Sequence, residues 1–159
     1  MATARLQERY GTAVPLRQMV SYRLSRLQAK LNAQATKILK ENGDLTLMQW
    51  RILVMLDLYG EVTIARIVRE TEFDKGLLSR TAKAMVQKGL IATKSNDSDL
   101  RQNHLSMTPQ GRGVFDRAFA PMRGRQDKLL NSMSDEQREN LFEAFEMIEN
   151  SLDEMRENE

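Results

Sequence analysis

Residues 71–89 read TEFDKGLLSRTAKAMVQKG. Asp74 is a side-chain N-cap and Gly89 a glycine stop, so the pattern predicts a helix running from Asp74 to Lys88. Leu78, Ala82, Met85 and Gly89 share one face of that helix, and Lys75, Ser79, Arg80, Lys83 and Gln87 take the other side. A shorter helix is expected just before it, over about 64–70, with a tight turn between the two. Two helices joined in this way, the second basic on its outer face, form a helix-turn-helix. Downstream, Leu90–Ser95 reads as a strand, Asn96-Asp-Ser-Asp99 as a turn, and His104–Met107 as a short returning strand. A helix-turn-helix followed at once by a β-hairpin is a winged helix.

The flanking sequence is helical. Leu16, Val20, Leu24, Leu27, Leu31 and Ile38 form one stripe of a long helix from about 14 to 42, with Gly43 placed to end it. Thr46 and Gln49 form a capping box that opens a helix carrying Trp50, Leu53, Leu56 and Leu58 and ending near Gly60. Thr108-Pro109 is an N-cap with proline at the first helical position, opening a helix with an expected bend at Pro121. Ser134 and Gln137 form a second capping box, ahead of a heptad seam of Leu141, Phe145, Ile148, Leu152 and Met155. The expected fold is mainly α with a small β-hairpin wing. The winged helix-turn-helix lobe occupies 43–107, and 1–42 with 108–159 form a helical dimerisation region. The terminal stripes exceed what one small lobe can cover, so a homodimer is expected.

Composition narrows the function. The chain has 159 residues, no cysteine and one histidine, His104. Disulfides, thiolate metal sites and thiol redox switches are thereby excluded, and no nucleophile–base pair, glycine-rich phosphate loop or metal cluster is visible. Neither an enzyme nor a cofactor or metal is expected. The N-terminus has no signal-peptide pattern and the apolar runs are too short for a bilayer, so the expectation is a cytoplasmic protein without a membrane partner. The formal net charge of +2 hides an asymmetry: residues 1–133 carry +10 and residues 134–159 carry −8. A basic body points to a polyanionic partner.

The candidate DNA-reading residues follow from the predicted geometry. Between Lys75 and Lys88 there are four basic residues and no acidic one. Lys75 and Lys83 suit phosphate contact, and Arg80 suits bidentate contact with a guanine edge. Gly76, Leu77, Ser79 and Thr81 lie near enough to meet bases or thymine methyls. Arg101 at the wing tip suits a minor groove, with Asp99 two residues away to orient it. The alternative for the helix residues is an ordinary solvated charged face, and for Asp99 it is ordinary Asx turn chemistry.

With these residues in place, the sequence resembles the MarR family of bacterial transcriptional regulators. The resemblance rests on LTLMQWRIL at 45–53, FDKGLLSR at 73–80, KGLI at 88–91, Asp99-Leu-Arg101, and LSMTPQG at 105–111. It covers roughly 40–155, whereas 1–15 match nothing. It implies a winged-helix homodimer joined through its N- and C-terminal helices, bound to a pseudo-palindromic double-stranded DNA operator and usually a repressor released by a small ligand. By the same resemblance, Lys75, Gly76, Leu77, Ser79, Arg80 and Thr81 fall on recognition-helix contacts and Arg101 on the wing arginine. The resemblance further implies an effector crevice for aromatic acids or phenols, to which Met19, Tyr22, Arg23, Trp50 and Arg51 are the nearest residues here. A guanidinium beside aromatic rings suits an aromatic carboxylate. The competing expectations are a regulator without an effector, and a winged-helix protein-interaction module.

Overall fold

The structure is a computed structural model that describes residues 19–157 apart from 72, 97 and 98, and gives only the backbone for 95, 96 and 99–103. In chain order the elements are α1 (Val20–Gly43), α2 (Leu47–Tyr59), β1 (Glu61–Thr63), α3 (Ile64–Thr71), α4 (Lys75–Gln87), β2 (Ile91–Asn96), β3 (Asp99–Met107), α5 (Pro109–Leu130) and α6 (Asp135–Glu157). The described residues form two compact units that divide between Ala118 and Phe119. Among the described residues no helix is long and apolar enough to cross a membrane.

Local chemistry accounts for most of the boundaries. At Thr46 the capping box is complete: the Gln49 N–H donates to Thr46 Oγ1 (3.2 Å) and the Thr46 N–H to Gln49 Oε1 (2.9 Å). Ser134 and Gln137 repeat the arrangement at 3.2 and 2.9 Å ahead of α6. One expectation at a helix end needs correction. Gly43 is the last residue of α1, and the left-handed residue is Asp44 (φ 49°), whose carboxylate pairs with Lys40. Asp tolerates this conformation better than most side chains. Gly43 is small for another reason: a Cβ there would lie 3.2 Å from Val114 and 3.3 Å from Leu45. The helical assignment of α5 continues through Pro121.

The sheet holds three antiparallel strands in the order β1-β3-β2. The reading of the sequence placed no strand at Glu61–Thr63, yet it pairs with β3 through Val62 and Leu105. The returning strand is also longer than expected, starting at Asp99 opposite Asn96. Under the sheet lies the core of the first unit, where Ile52, Leu53 and Leu56 are buried with Val62, Ile67, Leu78, Met85, Ile91 and Leu105. Each such side chain contributes about 1.5–3 kcal/mol by leaving water. Leu58 is not part of this core. It is 67% exposed, because two residues along a helix turn it away from the face that Leu56 buries.

The start of α5 is joined closely to the end of α4. Thr108 Oγ1 accepts the Gly111 N–H (3.0 Å) and donates to the Gly89 carbonyl (2.6 Å), while the Thr108 N–H reaches the Leu90 carbonyl (3.2 Å). A Cβ on Gly111 would stand 1.9 Å from that Leu90 carbonyl oxygen. Gly111→Ala is therefore expected to destabilise the fold by roughly 1–3 kcal/mol, as for other changes that overpack a rigid contact. Gly124, with nothing within 4 Å of its Cβ position, is the control: Gly124→Ala should stabilise by up to about 1 kcal/mol. Urea denaturation of both variants measures the contrast. Equal effects would show that the contact at Leu90 yields without cost.

Candidate nucleic-acid interface

The outer face of α4 is built from its N-terminus. The Leu77 N–H donates to Asp74 Oδ1 at 2.6 Å, which caps the helix while leaving its first turn in solvent. Its rear is fixed in the core by Leu78, Ala82 and Met85. Its C-terminus closes in a Schellman arrangement, with the Gly89 N–H on the Val86 carbonyl, the Leu90 N–H on the Met85 carbonyl, and Gly89 at φ 69°. The orientation of the face is thus set at both ends.

On that face Lys75, Gly76, Leu77, Arg80 and Lys83 are exposed, and Ser79 and Thr81 are half-buried. The structure brings all seven together on one helix. Thr81 turns its hydroxyl back to the Leu77 carbonyl (2.9 Å). Ser79 and Lys83 open onto a recess of about 450 Å³ whose other walls include Ile64, Val86, Gln87, Thr93 and Leu105. None of Lys75, Arg80 and Lys83 makes an ion pair within 4.0 Å among the described residues. Asp99 and Arg101 lie on β3, and their side chains are outside the described residues. His104, farther along β3, is half-buried opposite Thr63 and Lys94.

The five candidate effector residues have separate local surroundings. Met19 caps α1 and is 41% exposed. Tyr22 lies under the Arg26 guanidinium, 5.9 Å from it, and Arg23 lines a recess of about 250 Å³ with Arg26, Leu27 and Lys30. Trp50 is a core residue, stacked on Phe115 with ring centroids 5.0 Å apart and planes 14° from parallel. Arg51 lies 4.7 Å over the ring of Phe73, and partial burial lowers its pKa from the ordinary arginine value. Among the described residues no hydrogen bond, ion pair or ring contact links Met19, Tyr22 or Arg23 to Trp50 or Arg51.

Phe73 was not singled out by the sequence reading, although a signal was present. It immediately precedes the N-cap Asp74, the place where an apolar residue fixes the approach of the chain to a helix. Arg51 holds it there from α2.

Residues 43–102 match the sequence model of the MarR family. This stretch is a MarR-family winged helix. A curated relative, the HTH-type transcriptional regulator BilQ of Clostridium symbiosum, is 27% identical over 75 residues, which span 47% of this chain and about half (52%) of that protein. Solved structures of the family share the fold. A MarR/EmrR family transcriptional regulator from Acinetobacter sp. ADP1 superposes with a TM-score of 0.81 at 20% identity, over 89% of this chain and 99% of that one. The MepR–DNA complex of S. aureus superposes with a TM-score of 0.77 at 19% identity, over 84% of this chain and 96% of that one. In this MarR-family lobe the matched residues run from the end of α1 into the wing and so include the whole of α4.

The Arg51–Phe73 contact ties α2 to the turn ahead of α4. A double-mutant cycle with Arg51→Ala and Phe73→Ala is expected to give a coupling of about 0.5–1 kcal/mol in urea denaturation. Strict additivity of the two losses would remove the contact from the account of how α4 is held.

Proposed function

We propose that this chain is a homodimeric, sequence-specific transcriptional regulator acting as a repressor, with α4 as its recognition helix and a pseudo-palindromic double-stranded operator as its partner. The observation that carries the reading is the outer face of α4. Three exposed cations, Lys75, Arg80 and Lys83, stand on a helix whose back is locked in the core, and none is neutralised by a described carboxylate. A protein-binding surface would place apolar or acidic groups there instead. In this reading Lys75 and Lys83 meet phosphates, Arg80 reads a guanine edge, and Gly76, Leu77, Ser79 and Thr81 approach the bases. Arg101, oriented by Asp99, enters the minor groove. The complex of MepR with DNA, in a protein of the same fold, supports this assignment of the partner.

A small aromatic carboxylate or phenol is the effector in the finer form of this proposal. Its support is Arg51, a half-buried guanidinium with no described carboxylate within 4.0 Å and an aromatic ring beside it. A ligand drawn to Arg51 acts on the turn that aims α4, and so weakens DNA binding only as far as it prefers a different setting of that turn.

The test is a fluorescence-anisotropy titration onto the DNA upstream of the protein's own gene, with excess non-specific competitor and at two salt concentrations. Saturable binding at two chains per site is expected, with half-sites about 10 bp apart centre to centre. Arg80→Ala and Arg101→Ala should each weaken operator binding by roughly 1–3 kcal/mol. Binding that competitor abolishes, or that neither substitution changes, would defeat the proposal.

A further inference from the structure

The residues that follow the wing take hold of the end of α4. Gln110 Nε2 donates to the Lys88 carbonyl (3.2 Å), the Thr108 hydroxyl to the Gly89 carbonyl (2.6 Å), and the Thr108 N–H to the Leu90 carbonyl (3.2 Å). Successive carbonyls are thus taken by two residues that open α5. Helix closure does not require this. The Gly89 and Leu90 N–H groups already close α4 on the Val86 and Met85 carbonyls, and water serves a solvent-facing helix end as well. Gly89 leaves room for the grip: a Cβ there would stand 2.9 Å from Gln110 Oε1. The bond from Thr108 to Leu90 also closes the base of the wing, since Leu90 precedes β2 and Thr108 follows β3, whose ends pair as Ile91 with Met107.

We propose that Thr108 and Gln110 are positioning residues for DNA recognition, setting the angle between α4 and the wing and hence the spacing of the major-groove and minor-groove contacts. The inference rests on the DNA reading proposed above and adds residues that act on it from outside the α4 face. Lys75 stands about 20 Å from Lys88 along the helix, and Arg101 about 20 Å from Met107 along β3. Both reading ends are therefore long arms from one joint, and a tilt of about 5° there moves the first turn of α4 by about 1.7 Å. Such a shift breaks a hydrogen bond to a base edge, whose length tolerates only a few tenths of an ångström. The buried back of α4, made by Leu78, Ala82 and Met85, does not fix the tilt alone, because apolar burial is non-directional whereas hydrogen bonds hold angles as well as lengths. Non-specific binding survives the same tilt, because a lysine ammonium meets phosphate as a point charge. What the clasp governs is therefore the preference for one DNA sequence over another.

Fluorescence anisotropy of the full chain on the operator and on an unrelated duplex of equal length tests this, read as the ratio of the two affinities. Thr108→Val, which keeps the shape and removes the hydroxyl, should lower operator affinity about tenfold and non-specific affinity by less than about twofold. Thr108→Ser, which keeps the hydroxyl, should stay near wild type. A loss of folded protein lowers both affinities by the same factor, so the ratio separates positioning from stability. Gln110 is exposed, and Gln110→Met guards against a Thr108→Val chain that does not fold, with an expected fall in the ratio of about threefold. The wing supplies a second readout. Arg101→Ala should cost either variant less operator affinity than it costs wild type, because the contact of the wing is already displaced. A ratio that the folded variants leave unchanged, an equal fall in Thr108→Ser and Thr108→Val, or full additivity with Arg101→Ala overturns the positioning role while leaving DNA recognition standing. A wild-type chain with no preference for the operator overturns the recognition itself, and the positioning role with it.

Discussion

The carbonyl of Leu90 sits where three elements meet. It accepts the Thr108 N–H at 3.2 Å, and the Cα of Gly111 approaches so closely that a methyl group there would overlap it. Leu90 also follows the glycine that ends α4 and precedes the first residue of β2, which pairs with the last residue of β3 as Ile91 with Met107. The end of the recognition helix, the base of the wing and the first turn of α5 are therefore one joint. Gln110 adds a further bond from its side-chain amide to the Lys88 carbonyl at 3.2 Å. A rotation of the first turn of α5 has to carry the end of α4 with it, or break these bonds and leave buried backbone groups unpaired.

Helix α2 supplies the other fixed points. Trp50 stacks on Phe115 of α5, and Asp57 pairs with Arg112 of α5, which also lies 5.3 Å over the Phe115 ring and 3.8 Å from Asp116. The hydrogen bond to Asp57 raises the pKa of the Arg112 guanidinium. From the same helix Arg51 reaches Phe73, beside the cap of α4. One helix thus grips α5 at its start and the turn ahead of α4, while the Leu90 joint binds α5 to the far end of α4. The face that carries Lys75, Arg80 and Lys83 is held from both ends by groups that do not lie on it.

Much of this was legible in the sequence because capping is local. Thr46 with Gln49, Asp74, Gly89, Thr108 and Ser134 with Gln137 announce their helix ends within four residues, and the structure shows each of them in use. What was not legible depends on distant partners. The strand Glu61–Thr63 is three residues long, too short for a periodic signal, and exists because β3 offers it an edge. By pattern Trp50 suits a core position or a ligand crevice, and its burial with its stacking on Phe115, far along the chain, assigns it to the core. At Asp44 a neighbouring glycine drew the prediction of the left-handed turn by one residue, because the need for a small residue at Gly43 comes from Val114. The seven α4 candidates share one helix because their spacing alone decides that. The grouping of the effector candidates rested on a resemblance, and among the described residues no hydrogen bond, ion pair or ring contact joins those of α1 to those of α2.

The distribution of paired charge sharpens the reading of the α4 face. Within the first unit several cations that tie elements together are matched. Arg112 pairs with Asp57 and Asp116, Lys40 with Asp44, and Arg66 lies 3.9 Å over the Tyr59 ring and 4.0 Å from Glu70. The cations of α4 have no such partner among the described residues. An exposed cation without a partner loses nothing to solvent, so leaving it unmatched costs little stability. It does change binding, because a phosphate approaching Lys75, Arg80 or Lys83 displaces only diffuse counterions and breaks no internal ion pair. The electrostatic gain from releasing those counterions is then available to the complex undiminished. On α4 the open charge lies on a helix face that the core, the cap and the Leu90 joint together hold toward solvent.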